Sequence, residues 1–324
     1  SKILRIFVLA LVFVSYFSKV CVAMFLILSG YGLYESTPDD FSLKNFYIKR
    51  FSKLYINYWF IYLIFVPIGI LFFNYGDRIS AVYNSNLITA LLDFFGLLYL
   101  WGTLGINPTW WFLGAIIFLY FLFPFLKVLL DRFKTLFFIL SFYSLISVII
   151  PIIQMDFKPF DAISWLLFPF ILGMYLSQKN LLFKIKELGK NNGFIKLFKL
   201  IIYLALLIGI MYQRKYGTYL NDVRVDGFFA FIIILIANEF IAAIPLVKKP
   251  LIFLGKHSMN IFMFHTFIYF YFIPNIIYSF KSSLLIFIVL LSICVVISVI
   301  LEWLKDLLKV NQLYKLIINF TTNV

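Results

Sequence analysis

The stretch LGKHSMNIFMFH, residues 254–265, sets Ser258, Phe262 and His265 at i, i+4 and i+7, one face of a helix. In a span that starts at Ser258, His265 lies about 10 Å inside the membrane at ~1.5 Å per residue. An ionisable group at that depth is costly, so it calls for a partner or a catalytic role. Glu239, in IANEFIAAIP, sits at nearly the same depth and has the same need, which makes His265 its expected partner. In FYIKRFSKLYINYW, residues 46–59, Arg50 and Lys53 stand at i and i+3 at the mouth of another span. Such a pair suits the phosphates of a nucleotide-bearing donor, and it equally suits the ordinary positive anchors of a membrane helix. Ser29 and Gly30 end the greasy run VCVAMFLILSGYGLYES, where small residues serve close helix packing as readily as a site.

These residues need elements to hold them, and the composition says which kind. Of 324 residues 64% are hydrophobic, 21% aromatic and only 13% charged, too little polar material to coat a water-soluble globule. Runs near the ~20 residues that cross ~30 Å of hydrocarbon, without strand alternation, predict an all-α polytopic transmembrane helix bundle. About ten spans are expected, near 3–17, 20–34, 51–73, 109–130, 135–153, 160–177, 197–213, 226–246, 258–280 and 284–304. The stretch 86–101 is short, carries Asp93 and runs into GTLGINPT, which fits a re-entrant or interfacial helix. Trp110 and Trp111, beside it, read as interfacial belt residues.

Most of the 28 lysines and arginines fall in alternate loops, the rest being Lys19, Arg78, Lys158, Arg214, Lys215, Arg224 and Lys281. Positive loops stay inside, so both termini are expected in the cytoplasm. Residues 1–304 form one membrane domain in this reading, and 305–324 form an amphipathic tail along the inner surface. The net charge of +14 is explained by these loops and the lipid bilayer they meet, and no nucleic-acid partner follows. Cys21 and Cys294 lie in apolar runs and read as core residues; with only His257 and His265 beside them, no metal site is expected. LGKHS lacks the first glycine of a phosphate loop, and LSGYG lacks that of a nucleophile elbow.

Four motifs in this order resemble the acyltransferase-3 family of integral membrane acyltransferases. They are FLILSGYGL at the end of span two, RFSK with Arg50 and Lys53, the WFL of Trp111, Phe112 and Leu113, and Ser258-x3-Phe262-x2-His265. The resemblance implies transfer of an acyl group, usually acetyl, from acyl-CoA to a hydroxyl of a cell-surface or exported carbohydrate in a bacterial plasma membrane. It further implies that Arg50 and Lys53 clamp the phosphates of acyl-CoA, with Arg5 and Ser29 near the donor path, and that His265 and Glu239 belong to the catalytic region. In the family, a basic residue and a His separated by ten residues in span one supply the presumed base. Here Arg5 is followed at that spacing by Tyr16, a poor base with an ordinary pKa of ~10. The expectation is that the true first span precedes Ser1; the alternative is that Tyr16 stands in a copy that has lost its base. A lipid-linked-sugar flippase or transporter is the competing function, and it would call for broken helices in two related halves.

Overall fold

The computed structural model describes residues 20–133, 158–216 and 226–322. Every α-helix among them can be placed in order: α1 (Val20–Ser36), α2 (Leu43–Phe72), α3 (Gly76–Tyr83), α4 (Leu87–Phe94), α5 (Trp111–Arg132), α6 (Lys158–Gln178), α7 (Leu181–Glu187), α8 (Gly193–Tyr216), α9 (Asp226–Glu239), α10 (Pro245–Thr266), α11 (Pro274–Tyr278), α12 (Ser283–Leu307) and α13 (Val310–Thr322). No strand occurs among the described residues.

Among the described residues, five segments are long and apolar enough to cross a membrane: Leu43–Phe72, Pro108–Arg132, Gly193–Tyr212, Asp226–Ala243 and Ser283–Leu307. The bent pair Leu166–Gln178 and Leu181–Glu187, at 64°, makes a sixth if it is one broken span. The chain is thus a multi-pass helical membrane protein. The spans expected at 3–17 and 135–153 lie outside the described residues. α1 is apolar but only 17 residues long. The span expected at 258–280 is divided. α10 starts earlier and runs to Thr266, a π turn occupies Phe267–Phe272, and α11 begins at Pro274. Proline has no N–H to continue a ladder, and the wider π turn accommodates the break. Residues 86–101 form α4 and a 3₁₀ turn, Leu98–Trp101, both too short to cross. Ile201, Leu204 and Ile208 on α8, and Phe287, Val296 and Ile300 on α12, are exposed. Such faces suit acyl chains rather than water.

The chain divides into two compact units, each assembled from two separate stretches. In the first, Ser1–Asp39 with Leu122–Lys249, α1 lies along α6. A Cβ at Gly30 would overlap the Phe170 carbonyl oxygen, and one at Gly173 would overlap that of Ile27. Two glycines facing two carbonyls let the backbones touch, which is why the small residue ends the apolar run. Tyr203 of α8 and Ile232 and Leu235 of α9 form a buried cluster covered by Leu182 and Ile185 of α7. Cys21 is exposed on α1, against the expectation of a core residue, because the helix turns its other side to α6; Cys294 is buried as expected.

In the second unit, Asp40–Phe121 with Pro250–Val324, Ser42 caps α2 by accepting from the Asn45 N–H at 3.5 Å. Phe65 stacks on Phe264 and Phe272, and Trp110 meets Tyr58, Tyr62 and Phe267. Trp110 is no belt residue: it is 2% exposed and donates its indole N–H to the Met263 carbonyl at 2.9 Å. Asn107 donates to the same carbonyl at 3.2 Å. Asp93, also buried, accepts from the Tyr83 hydroxyl at 2.9 Å and the Ile106 N–H at 3.0 Å. Arg78 donates to the carbonyls of Gly105 and Ile106 at 3.2 and 3.3 Å. An acid and a base thereby fasten the turn-rich loop before α5.

Candidate active site

The first turns of α2 carry Lys44, Lys49, Arg50 and Lys53. Arg50 and Lys53 share a helix face, and that face forms one wall of a cavity of about 480 Å³ within the second unit. Lys256, Met259 and Asn260 of α10 form another wall, Glu302 and Lys305 of α12 a third, and Asn311 and Tyr314 of α13 a fourth. A cavity of this volume is in the range of small-ligand sites. Four cations and one carboxylate give its polar lining a positive balance, which favours an anion.

The base of this cavity is a hydrogen-bonded network that the motif reading missed. Lys305 Nζ donates to Asn57 Oδ1, to Asn260 Oδ1 at 2.9 Å and to Glu302 Oε1 at 2.7 Å. An ammonium has three N–H groups, so all three are engaged. Asn260 Nδ2 donates to Glu302 Oε1 at 2.6 Å and to Ser298 Oγ at 3.2 Å, and Ser298 shares a 2.9 Å hydrogen bond with His257 Nδ1. The signal was present in the spacing: Ser298, Glu302 and Lys305 stand at i, i+4 and i+7 on α12, opposite His257 and Asn260 at i, i+3 on α10. It was passed over because each residue looks ordinary alone.

His265 lies elsewhere on α10. It stands nine positions after Lys256, which at ~100° per residue puts the two on opposite sides of the helix. Its Nδ1 faces the carbonyl oxygens of Ile261 and Phe262, both at 3.0 Å, and its ring lies against Tyr269. Phe262, on the same face, packs edge-on against Phe112 of α5. Carbonyl oxygens only accept, so Nδ1 carries a proton, and in the neutral ring Nε2 is the nitrogen with the lone pair.

A family model described as an acyltransferase domain matches residues 3–303. The chain belongs to the acyltransferase-3 family. The resemblance read from the four ordered motifs is borne out, and the match covers nearly the whole chain. No curated protein and no solved structure matches.

In this acyltransferase the expected pairing of Glu239 with His265 gives way to a different one. Glu239 forms an ion pair with Lys199 of α8 and accepts from the Tyr203 hydroxyl at 2.8 Å. Lys199 also donates to the carbonyls of Ile185 and Leu188, at 2.6 and 3.2 Å. The charge count places Lys199 at the inner end of the span expected at 197–213; α8 begins earlier, at Gly193, and carries Lys199 inward to 8% exposure. Ser29 is half-buried on α1, beside Gly30, where the neighbouring surface is α6. Arg5 and Tyr16 of the acyltransferase lie outside the described residues. Thus Arg50 and Lys53 fall on one cavity, while His265 and Glu239 fall in different units with partners of their own.

Proposed function

We propose that this acyltransferase carries an acyl group, acetyl in the simplest case, from acyl-CoA to a hydroxyl of a cell-surface or exported carbohydrate, in a bacterial plasma membrane. The observation that supports this most is the cavity, which Arg50 and Lys53 of α2 line together with Lys256 of α10. Its residues come from helix ends that the charge count assigns to the cytoplasm, the compartment that holds acyl-CoA. Arg50 offers a fork of donors and Lys53 a point charge, a combination suited to the several phosphates of coenzyme A.

The donor's nucleotide rests in the cavity and its thioester reaches past Asn260 to the far face of α10. There His265 Nε2 takes the proton of the acceptor hydroxyl as the hydroxyl oxygen attacks the thioester carbonyl. The tetrahedral intermediate collapses with cleavage of the C–S bond, and the coenzyme A thiolate leaves, taking the proton from the imidazolium. The product ester and free thiol balance the reaction without a metal or a redox partner. Arg5 and Tyr16, by the family's spacing, belong to the same path. Glu239 acts as the counter-ion of Lys199 rather than as an acid or base, because its two oxygens are engaged by the Lys199 ammonium and the Tyr203 hydroxyl.

The test is direct binding of coenzyme A to the full chain in lipid nanodiscs, together with acetyl-CoA turnover on carbohydrate acceptors. Charge-assisted phosphate contacts are worth roughly 1.5–3 kcal/mol each, so Arg50→Ala/Lys53→Ala should weaken binding by two decades or more. Unchanged affinity in that variant removes the reading.

A further inference from the structure

The family match ends at residue 303, yet the cavity does not end there: Lys305, Asn311 and Tyr314 complete it from the chain beyond. α13 is held against α2 at this point. The Tyr314 hydroxyl donates to the Lys49 carbonyl at 3.4 Å, which seats the ring beside the residue that precedes Arg50. Asn311, which lines the cavity, donates from Nδ2 to Asp306 Oδ1 at 3.0 Å, so the amide has its Oδ1 to offer as an acceptor. Leu54 and Met259 add apolar surface to the same lining. Lys305 has all three donors engaged with Asn57, Asn260 and Glu302, so it serves the wall rather than the ligand.

The cavity therefore has two chemistries. One wall carries Arg50 and Lys53, with Lys256 on another, and suits phosphate. The wall formed by α13 offers a fixed aromatic ring and an amide acceptor, and suits a nucleobase that has a flat face and an exocyclic amine. We propose that α13 is the nucleotide-reading element of this acyltransferase, with Tyr314 stacking on the adenine of the donor and Asn311 Oδ1 accepting from its amine. This deepens the acyl-CoA reading and rests on it. It assigns donor recognition to a segment outside the part of the chain that defines the family.

The experiment uses the full chain in nanodiscs and three probes: coenzyme A, adenosine 3′,5′-bisphosphate, which has the nucleotide alone, and phosphopantetheine, which lacks it. Stacking and one hydrogen bond are each expected to contribute about tenfold in affinity. Tyr314→Ala and Asn311→Ala should each weaken coenzyme A and the bisphosphate about tenfold and leave phosphopantetheine unchanged, while Tyr314→Phe, which keeps the ring and loses only the bond to Lys49, should weaken them less than Tyr314→Ala does. If coenzyme A affinity falls in Arg50→Ala/Lys53→Ala but holds in both α13 variants, the inference is overturned and the acyl-CoA reading stands. Equal weakening of phosphopantetheine in the α13 variants also overturns it, since the effect is then on the fold. If the wild type binds none of the three probes, the acyl-CoA reading fails and takes the inference with it.

Discussion

Lys199 and Glu239 are ion-paired inside the first unit, with side chains only 10% and 6% exposed. A pair this buried is costly to break from one side, because the survivor keeps its charge and loses its compensation. Lys199→Met should therefore destabilise the protein by about 3–5 kcal/mol. Lys199→Met/Glu239→Gln should regain much of that loss, since both charges leave together. Thermal unfolding in nanodiscs, followed by tryptophan fluorescence, distinguishes the two; a double variant no better than the single one would refute the pairing as the cause.

The contact between α1 and α6 predicts opposite results for two glycines two residues apart. A methyl group at Gly30 meets the backbone of Phe170, which has no rotamer by which to move aside, whereas one at Gly32 has nothing within 4 Å. Gly30→Ala should cost about 1–3 kcal/mol or more, and Gly32→Ala should be close to neutral. Equal melting temperatures for the two variants would contradict this packing.

Asp93 links stability to pH. Burial pushes its carboxyl above the ordinary value of 3.8, with the Ile106 N–H, the Tyr83 hydroxyl and Arg78 pulling the other way. A raised carboxyl favours the protonated form in the folded state, so its contribution is fully present below the unfolded pKa. It is lost as pH rises through the higher, folded value. The wild type should lose stability as pH rises across that window, and Asp93→Asn should flatten that part of the profile. Parallel pH profiles for the two proteins would show that Asp93 carries no such linkage.

The position of His265 predicts that, in the proposed reaction, catalysis and donor binding can be separated by mutation. The ring lies on the face of α10 opposite Lys256, so His265→Gln should leave coenzyme A affinity unchanged. Turnover should drop by ~10²–10⁴, the usual contribution of a positioned base. A variant with wild-type turnover would move the base elsewhere, Tyr16 being the first candidate to examine by Tyr16→Phe.

The sequence by itself determined the class, the family and one wall of the cavity. Class follows from composition, since no arrangement of so apolar a chain hides its surface from water. The family follows from motifs that are each local, and Arg50 with Lys53 was legible because an i, i+3 spacing places two side chains on one face of any helix. Helix breaks followed the local chemistry less fully: Pro274 marks the end of the π turn, but the earlier start of α10 at Pro245 does not show in hydropathy. Only the tertiary structure decided which faces meet. Helical periodicity gives the relative rotation of residues on one helix and nothing about the neighbour that each face finds. So Lys199 rather than His265 became the partner of Glu239, Trp110 turned inward to Met263, and Gly30 proved to be a packing position. For the same reason, residues more than 250 positions apart along the chain, Arg50 and Tyr314, came to line one cavity. Contacts at that separation are set by how whole helices dock, a matter of shape and burial summed over many side chains.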